Sequence, residues 1–348
     1  MIKKLQTAVI AFSVMLASHA ADAAPETIVP SDQTTEAWVN YVDAGSVYFY
    51  SRNRSSAHTV LMKLDVTSRQ SIQLASFPDD GRYLWIQQPL QRSGNRLFAY
   101  ATPTPFFVDM GGNSEPEPAP FTLMIVYPSH EHQVDDTALY SRTTDHIDRG
   151  FWRSTFYKTT LDDGVTTEIL RTLDSRSHSW DNPYNDYVVD QDYIYWSKIA
   201  DPTGAPRVEV WRMHKAGSTP SMVLYHHDLP DQTKFYSAWG KIAVDDGYIY
   251  WNSWSEGIKR AAVTGNQTPQ VLSQIKKCTD APVFHGSDVF FWGLDKGIYQ
   301  VSKTGGTAVQ VVAPTDVGPG EHIPRNLMAG PQGIFWNSDD GIKFLALP

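Results

Sequence analysis

Short aromatic-rich apolar runs recur along the chain, each followed by a polar turn. They are Val47-Tyr-Phe-Tyr50, Leu97-Phe-Ala-Tyr100, Tyr193-Ile-Tyr-Trp196, Tyr248-Ile-Tyr-Trp251, Val289-Phe-Phe-Trp292 and Gly333-Ile-Phe-Trp336. An apolar run precedes several of them, as in Tyr187-Val-Val189 and Ile242-Ala-Val244. Two further runs follow, separated by Gly or polar turns; the clearest copies are Gly297–Lys303 and Ala308–Val312. Residues of this kind, alternating along a short segment, specify β-strands with one set of side chains on each face. Each unit therefore predicts four strands. A repeated four-stranded unit is a propeller blade, because one twisted sheet leaves both faces bare and stacking blades around an axis covers them.

Third strands are expected at His58–Val66, Phe121–Tyr127, Thr155–Leu161, Arg207–His214, Gly257–Val263, Gly297–Lys303 and Gly341–Leu347. The expected fold is all-β, a single propeller of seven four-stranded blades of about 46 residues each. Six blades with an insertion is the alternative, since region 80–172 fits the template least well. The chain stops just after the last third strand, and Pro25-Glu-Thr-Ile-Val-Pro30 reads as a displaced fourth strand. An N-terminal strand completing the last blade would close the ring and remove two exposed edges.

Composition narrows the function classes. Of 348 residues, 41% are hydrophobic and 12% aromatic, enough for a large core and too apolar for a disordered chain. The formal charge of −9 argues against nucleic acid and against docking on an anionic membrane. Cys278 is the only cysteine, which excludes an intrachain disulfide framework. Lys3 and Lys4, the apolar run Leu5–Ala17 and the small-residue sites at 18–23 have the layout of a secretory signal peptide. The expected organisation is a leader over 1–23 and one domain over 24–348. The product is expected to be a periplasmic or secreted monomer with no membrane span.

The Tyr-Ile-Tyr-Trp, Gly-Ile-Lys-Arg and Thr-Gly-Gly-Thr segments resemble secreted bacterial β-propellers with YWTD-like repeats. The resemblance covers 186–348 well and 36–76 moderately, and it implies the fold. The fourth residue of the quartet differs: Ser197, Asn252, Gly293 and Asn337 follow the tryptophans.

Candidate chemistry falls on segments joining blades, where a rigid scaffold presents loops. His178, Tyr236, His322 and Arg325 are candidate catalytic residues. Arg325 would neutralise a uronate carboxylate while a His or Tyr removes the adjacent proton. Trp180, Asp181, Tyr184, Trp239, Trp254 and Asn326 are candidate substrate-binding residues, aromatic faces for sugar rings and polar groups for hydroxyls. Trp196, Trp251, Trp292 and Trp336 are core by their place in the repeat. His130, His132, Asp135, Asp136, Asp145 and His146 offer the nitrogen and oxygen ligands zinc takes, but His-x-His in a polar loop is a weak signal and no metal or cofactor is expected. Thr102–Pro120, dense in Pro and Gly, reads as an irregular insertion placing Phe106, Phe107 and Met110 over the channel mouth. Asp162-Asp-Gly164, Asp245-Asp-Gly247 and Asp339-Asp-Gly341 read as turns. The expected function is binding or scaffolding, with a glycan or an extracellular or envelope protein as partner. The alternative is a polysaccharide-active enzyme.

Overall fold

The computed structural model describes residues 24–32, 35–53, 55, 58–78, 83–84, 89–99, 101–102, 104–112, 114–121, 132–148, 151–174, 187–200, 207–226, 242–253, 257–265, 268–275, 281–317 and 326–348. They form seven four-stranded antiparallel sheets and one two-stranded pair, Tyr83–Leu84 with Ala101–Thr102. Blade 1 spans 35–78, blade 2 91–118, blade 3 132–174, blade 4 187–226, blade 5 243–273 and blade 6 283–312. Blade 7 consists of Met328–Gly330, Gly333–Ser338 and Gly341–Ala346, with Glu26–Pro30 as its fourth strand. This is the expected seven-bladed β-propeller, closed by its N-terminal strand.

Seven apolar clusters fill the seven seams between blades. The second strand of each blade supplies both sides, because alternate residues face opposite ways. In blade 1, Val47 and Phe49 pack toward Phe335 and Phe344 of blade 7. Tyr48 and Tyr50 pack toward Leu97, Ala99 and Val108 of blade 2. The pattern continues around the ring. Phe98 meets Leu139 and Leu161, Tyr140 meets Ile194 and Trp196, and Tyr195 meets Ile249 and Trp251. Tyr250 meets Val289 and Phe291, and Phe290 and Trp292 meet Ile334 and Trp336. Trp251 and Trp336 are fully enclosed, and each large side chain so buried stabilises the ring by about 2–3 kcal/mol.

Two details differ from the sequence pattern. The Asp245–Tyr248 and His285–Asp288 hairpins pair equivalently, so Val289 matches Ile249 and Trp292 lies one place beyond Trp251. Trp292 consequently faces the following blade, whereas Trp251 faces the preceding one. Blade 2 also takes its third strand from Phe106–Asp109 and its fourth from Glu117–Pro118, inside the segment expected to be an insertion. Phe107 and Met110 are buried in seams and Phe106 packs half-buried against the cluster between blades 1 and 2, so they do not cap the mouth. Nor is Phe121 in the third strand; its ring stacks on Phe98 at 6.2 Å, and 122–127 lie outside the described residues.

Closure depends on close backbone contact. Thr27 pairs with Lys343, and Val29 and Pro30 pair with Ile342 and Gly341 across a bulge. Lys343 Nζ donates to Thr27 Oγ1 at 2.8 Å, and Ser31 N donates to Asp340 O at 2.9 Å. Arg69 of blade 1 forms an ion pair with Glu26 and lies over the Phe344 ring. Gly341 has φ +126°, and a Cβ there would stand 2.0 Å from Val29 O. Gly217 also has positive φ, +83°, but has open space around it. A thermal melt followed by circular dichroism separates the two effects. Gly217→Ala is expected to cost about 1 kcal/mol for the backbone conformation alone. Gly341→Ala is expected to cost about 3 kcal/mol, because strain and a backbone clash combine.

Candidate functional site

Most of the residues read as catalytic or substrate-binding lie outside the described residues. These are His178, Trp180, Asp181, Tyr184, Tyr236, Trp239, Trp254, His322 and Arg325. Asn326 is described. It has φ +65°, and its Nδ2 donates to Val39 O at 3.1 Å. Val39 N donates in turn to Asn337 Oδ1 at 2.7 Å. Val39 belongs to the first strand of blade 1, Thr35–Asp43, which is an edge of its sheet. On an edge strand every second residue turns its N–H and C=O away from the ladder, and buried groups of this kind need other partners. Two asparagines from the blade 7 side supply them. Asn326 thus ties the chain immediately after Arg325 to the innermost strand across the closing seam.

A second constellation repeats around the opposite ends of these strands. The residue at the turn between first and second strands is Asp43, Ser93, Asp135, Asp190, Asp245, His285 or Gly330 in blades 1 to 7. Five residues later stand Tyr48, Phe98, Tyr140, Tyr195, Tyr250, Phe290 and Phe335. Tyrosine occurs in each blade with Asp at the turn, and phenylalanine in each blade without it. The physical reason is the phenol. A buried hydroxyl requires a partner, and in blades 3 and 4 the turn carboxylate provides the acceptor. Tyr195 OH donates to Asp190 Oδ2 at 2.9 Å. Burial, reinforced by the facing carboxylate, holds the Tyr140 and Tyr195 phenols protonated far above neutrality. The Tyr48 phenol is pushed up to about 12 by burial and then by Asp43. This signal is visible in the sequence, but Asp245 lies in Asp-Asp-Gly, which reads first as a turn.

The turn carboxylates of blades 3 and 4 line a groove of about 620 Å³ at the seam between those blades. Asp135, Asp136, Tyr140, Lys158, Asp190, His214 and Lys215 form its walls. Lys215, nearly buried, donates to Asp135 Oδ2 at 2.7 Å, and its ammonium lies 5.3 Å from the Tyr140 ring centre. Asp135 Oδ1 accepts from Thr137 N at 2.8 Å and Ala138 N at 2.9 Å. Burial alone would raise the Asp135 carboxyl, but the Lys215 ammonium and these donors outweigh it and hold it at about 2. Asp136 Oδ1 accepts from Gly94 N of blade 2 at 2.7 Å, and His214 Nδ1 accepts from Ala216 N at 3.1 Å. The groove is a charged seam whose groups bind one another and the neighbouring blades.

The candidate zinc ligands do not assemble among the described residues. His132 is buried in the first strand of blade 3, and His130 lies outside the described residues. Among the described residues no group of three His, Cys, Asp or Glu is placed to hold a metal ion.

No family model matches the chain, and no curated protein matches it. Solved structures do. An oligogalacturonate lyase in complex with manganese superposes with a TM-score of 0.60 at 15% identity, over 95% of this chain and 94% of that one. An oligogalacturonate lyase from Vibrio parahaemolyticus superposes at 0.57 and 11% identity, over 95% of each chain. A chain of the mitotic checkpoint complex superposes at 0.51 and 11% identity, over 92% of each. Likeness at these identities establishes the propeller fold alone.

The Asp135–Lys215 pair has a pH signature. A carboxyl depressed from 3.8 to about 2 stabilises the fold above the unfolded value and loses that contribution as pH falls toward 2. Thermal melts of wild type and Asp135→Asn are therefore expected to differ fully at pH 6 and to converge between pH 4 and 2. A gap unchanged over that window would contradict the assignment.

Proposed function

We propose that this chain is an exported recognition propeller. Its partner is a glycan or an extracellular or envelope protein, held by the segments that join its blades. The observation that carries this reading is the anchoring of Asn326 to Val39 O at 3.1 Å. It fixes Asn326, which follows His322 and Arg325 in the chain, against the first strand of blade 1. Among the described turn carboxylates, Asp135, Asp190 and Asp245 are engaged with Lys215, Tyr195 and Lys303. His178, Trp180, Asp181, Tyr184, Tyr236, Trp239 and Trp254 give these segments aromatic faces and hydrogen-bonding groups suited to sugars. The leader-like residues 1–23 support export to the periplasm or beyond. No helix among the described residues is long and apolar enough to cross a membrane.

A second reading is favoured by one specific observation: two oligogalacturonate lyases superpose over nearly the whole chain. In that reading Arg325 neutralises the carboxylate of a uronate. His178, Tyr236 or His322 removes the proton beside it, and the glycosidic oxygen leaves as the double bond forms. A charge of −10 for residues 24–348, from 27 basic and 37 acidic residues, requires the site itself to be locally basic to hold such a substrate.

A panel of neutral and acidic oligosaccharides separates the readings when both binding and absorbance are followed. Absorbance rising near 235 nm, roughly where an unsaturated uronate absorbs, reports proton abstraction and elimination. Binding without new absorbance, weakened about tenfold or more by Trp180→Ala or Trp239→Ala, is the outcome expected of a recognition module. Rising absorbance that disappears in Arg325→Ala would establish the lyase. A panel with neither signal would contradict both glycan readings and leave an envelope or extracellular protein as the partner.

A further inference from the structure

Seven residues occupy one repeated place just beyond the third strand: Val66, Met110, Leu161, Lys215, Val263, Lys303 and Leu347. Their equivalence is shown by the backbone. Each donates its N–H to the carbonyl of the residue two beyond its own blade's turn position, at 2.8–3.0 Å. The acceptors are Gly45, Asn95, Thr137, Asp192, Gly247, Ser287 and Gln332. In five blades the side chain at this place is apolar. In blades 4 and 6 it is lysine, and each lysine reaches back to the turn aspartate of the preceding blade. Lys215 meets Asp135 at 2.7 Å and Lys303 meets Asp245 at 2.5 Å. Both lysines are nearly buried, with side chains 11% and 14% exposed.

We propose that these two places form a seam lock, in which the turn residue of one blade and the residue beyond the third strand of the next specify which blades pack together. The blades resemble one another closely enough that apolar packing alone discriminates weakly between correct and shifted neighbours. A partly buried lysine changes that. Opposite an aspartate it completes a charge-assisted hydrogen bond. Opposite Ser93, His285 or Gly330 it is desolvated without a carboxylate, which is strongly unfavourable. Seams 3/4 and 5/6 thus carry locks that accept a neighbour with aspartate at its turn and reject the three blades without one.

The seam between blades 4 and 5 has half of a lock. Asp190 uses its carboxylate as Asp135 does. Its Oδ1 accepts from the N–H groups two and three residues on, at 2.9 Å from Asp192 and 2.7 Å from Tyr193. Its Oδ2 is held by the Tyr195 hydroxyl. Val263 stands at the place where a lysine would meet it, packed at the edge of the apolar cluster of that seam.

The lock predicts a gain from adding the missing half. Val263→Lys is expected to raise Tm by about 2 °C, corresponding to roughly 1 kcal/mol in a domain of this size. In an Asp190→Asn background the same substitution is expected to lower Tm. Val263→Met controls for side-chain length and is expected to leave Tm within about 1 °C. A fall in Tm of the same size in both backgrounds would overturn the proposal. If Val263→Lys does not fold, a cycle of Asp135→Asn and Lys215→Met reads the existing lock. Non-additive melting shifts support it and additive shifts contradict it.

Discussion

A four-stranded sheet of this composition cannot cover its own faces, and the rest of the structure follows from that constraint. Each second strand turns alternate large side chains toward the blade before and the blade after, so no blade is complete without two neighbours. An open stack would leave apolar faces bare at both ends, and only a closed ring removes them. The N-terminal strand Glu26–Pro30 matters beyond its five residues because it makes the last blade whole and joins it to the first. Gly341, the Asn326 and Asn337 amides on Val39, and the Arg69–Glu26 pair all gather at that closing seam.

Polar groups enter the seams in a regular way. Aspartate at the first turn draws tyrosine to the next strand, and in two seams it also draws lysine from the following blade. The Asp135 carboxylate does three things at once: it shapes the hairpin, accepts from the buried Tyr140 phenol and marks the neighbouring blade through Lys215. His285 reaches across to blade 7 by a different route, its Nδ1 lying 2.8 Å from Gly330 O. Each solution meets the same requirement, that a group taken out of water at a seam be paired there.

Much of this architecture is legible in the residues. Trp196, Trp251, Trp292 and Trp336 are read correctly as core from repeat position, and the closing strand from its match to other fourth strands. Six of the seven third strands fall where the pattern puts them. Blade 2 fails because its third strand, Phe106–Asp109, is only four residues long and lies between prolines and glycines, so local turn chemistry masks a strand held by tertiary pairing. The offset of Trp292 fails for a related reason: hairpin pairing, and not the motif, sets which face a side chain takes. Of the candidate site, Asn326 is the residue whose contact is described, and it serves the seam. The Asp–Tyr coupling was available in the sequence, yet it emerges only once strand pairing aligns the seven turns.

The ring depends on closure by the N-terminal strand, and the most direct measurement is the thermal stability of a chain lacking Glu26–Pro30. Its Tm is expected to fall by at least about 10 °C. Partial recovery is expected when a synthetic peptide of residues 24–32 is added, increasing with peptide concentration. An unchanged Tm with no response to the peptide would contradict closure by this strand.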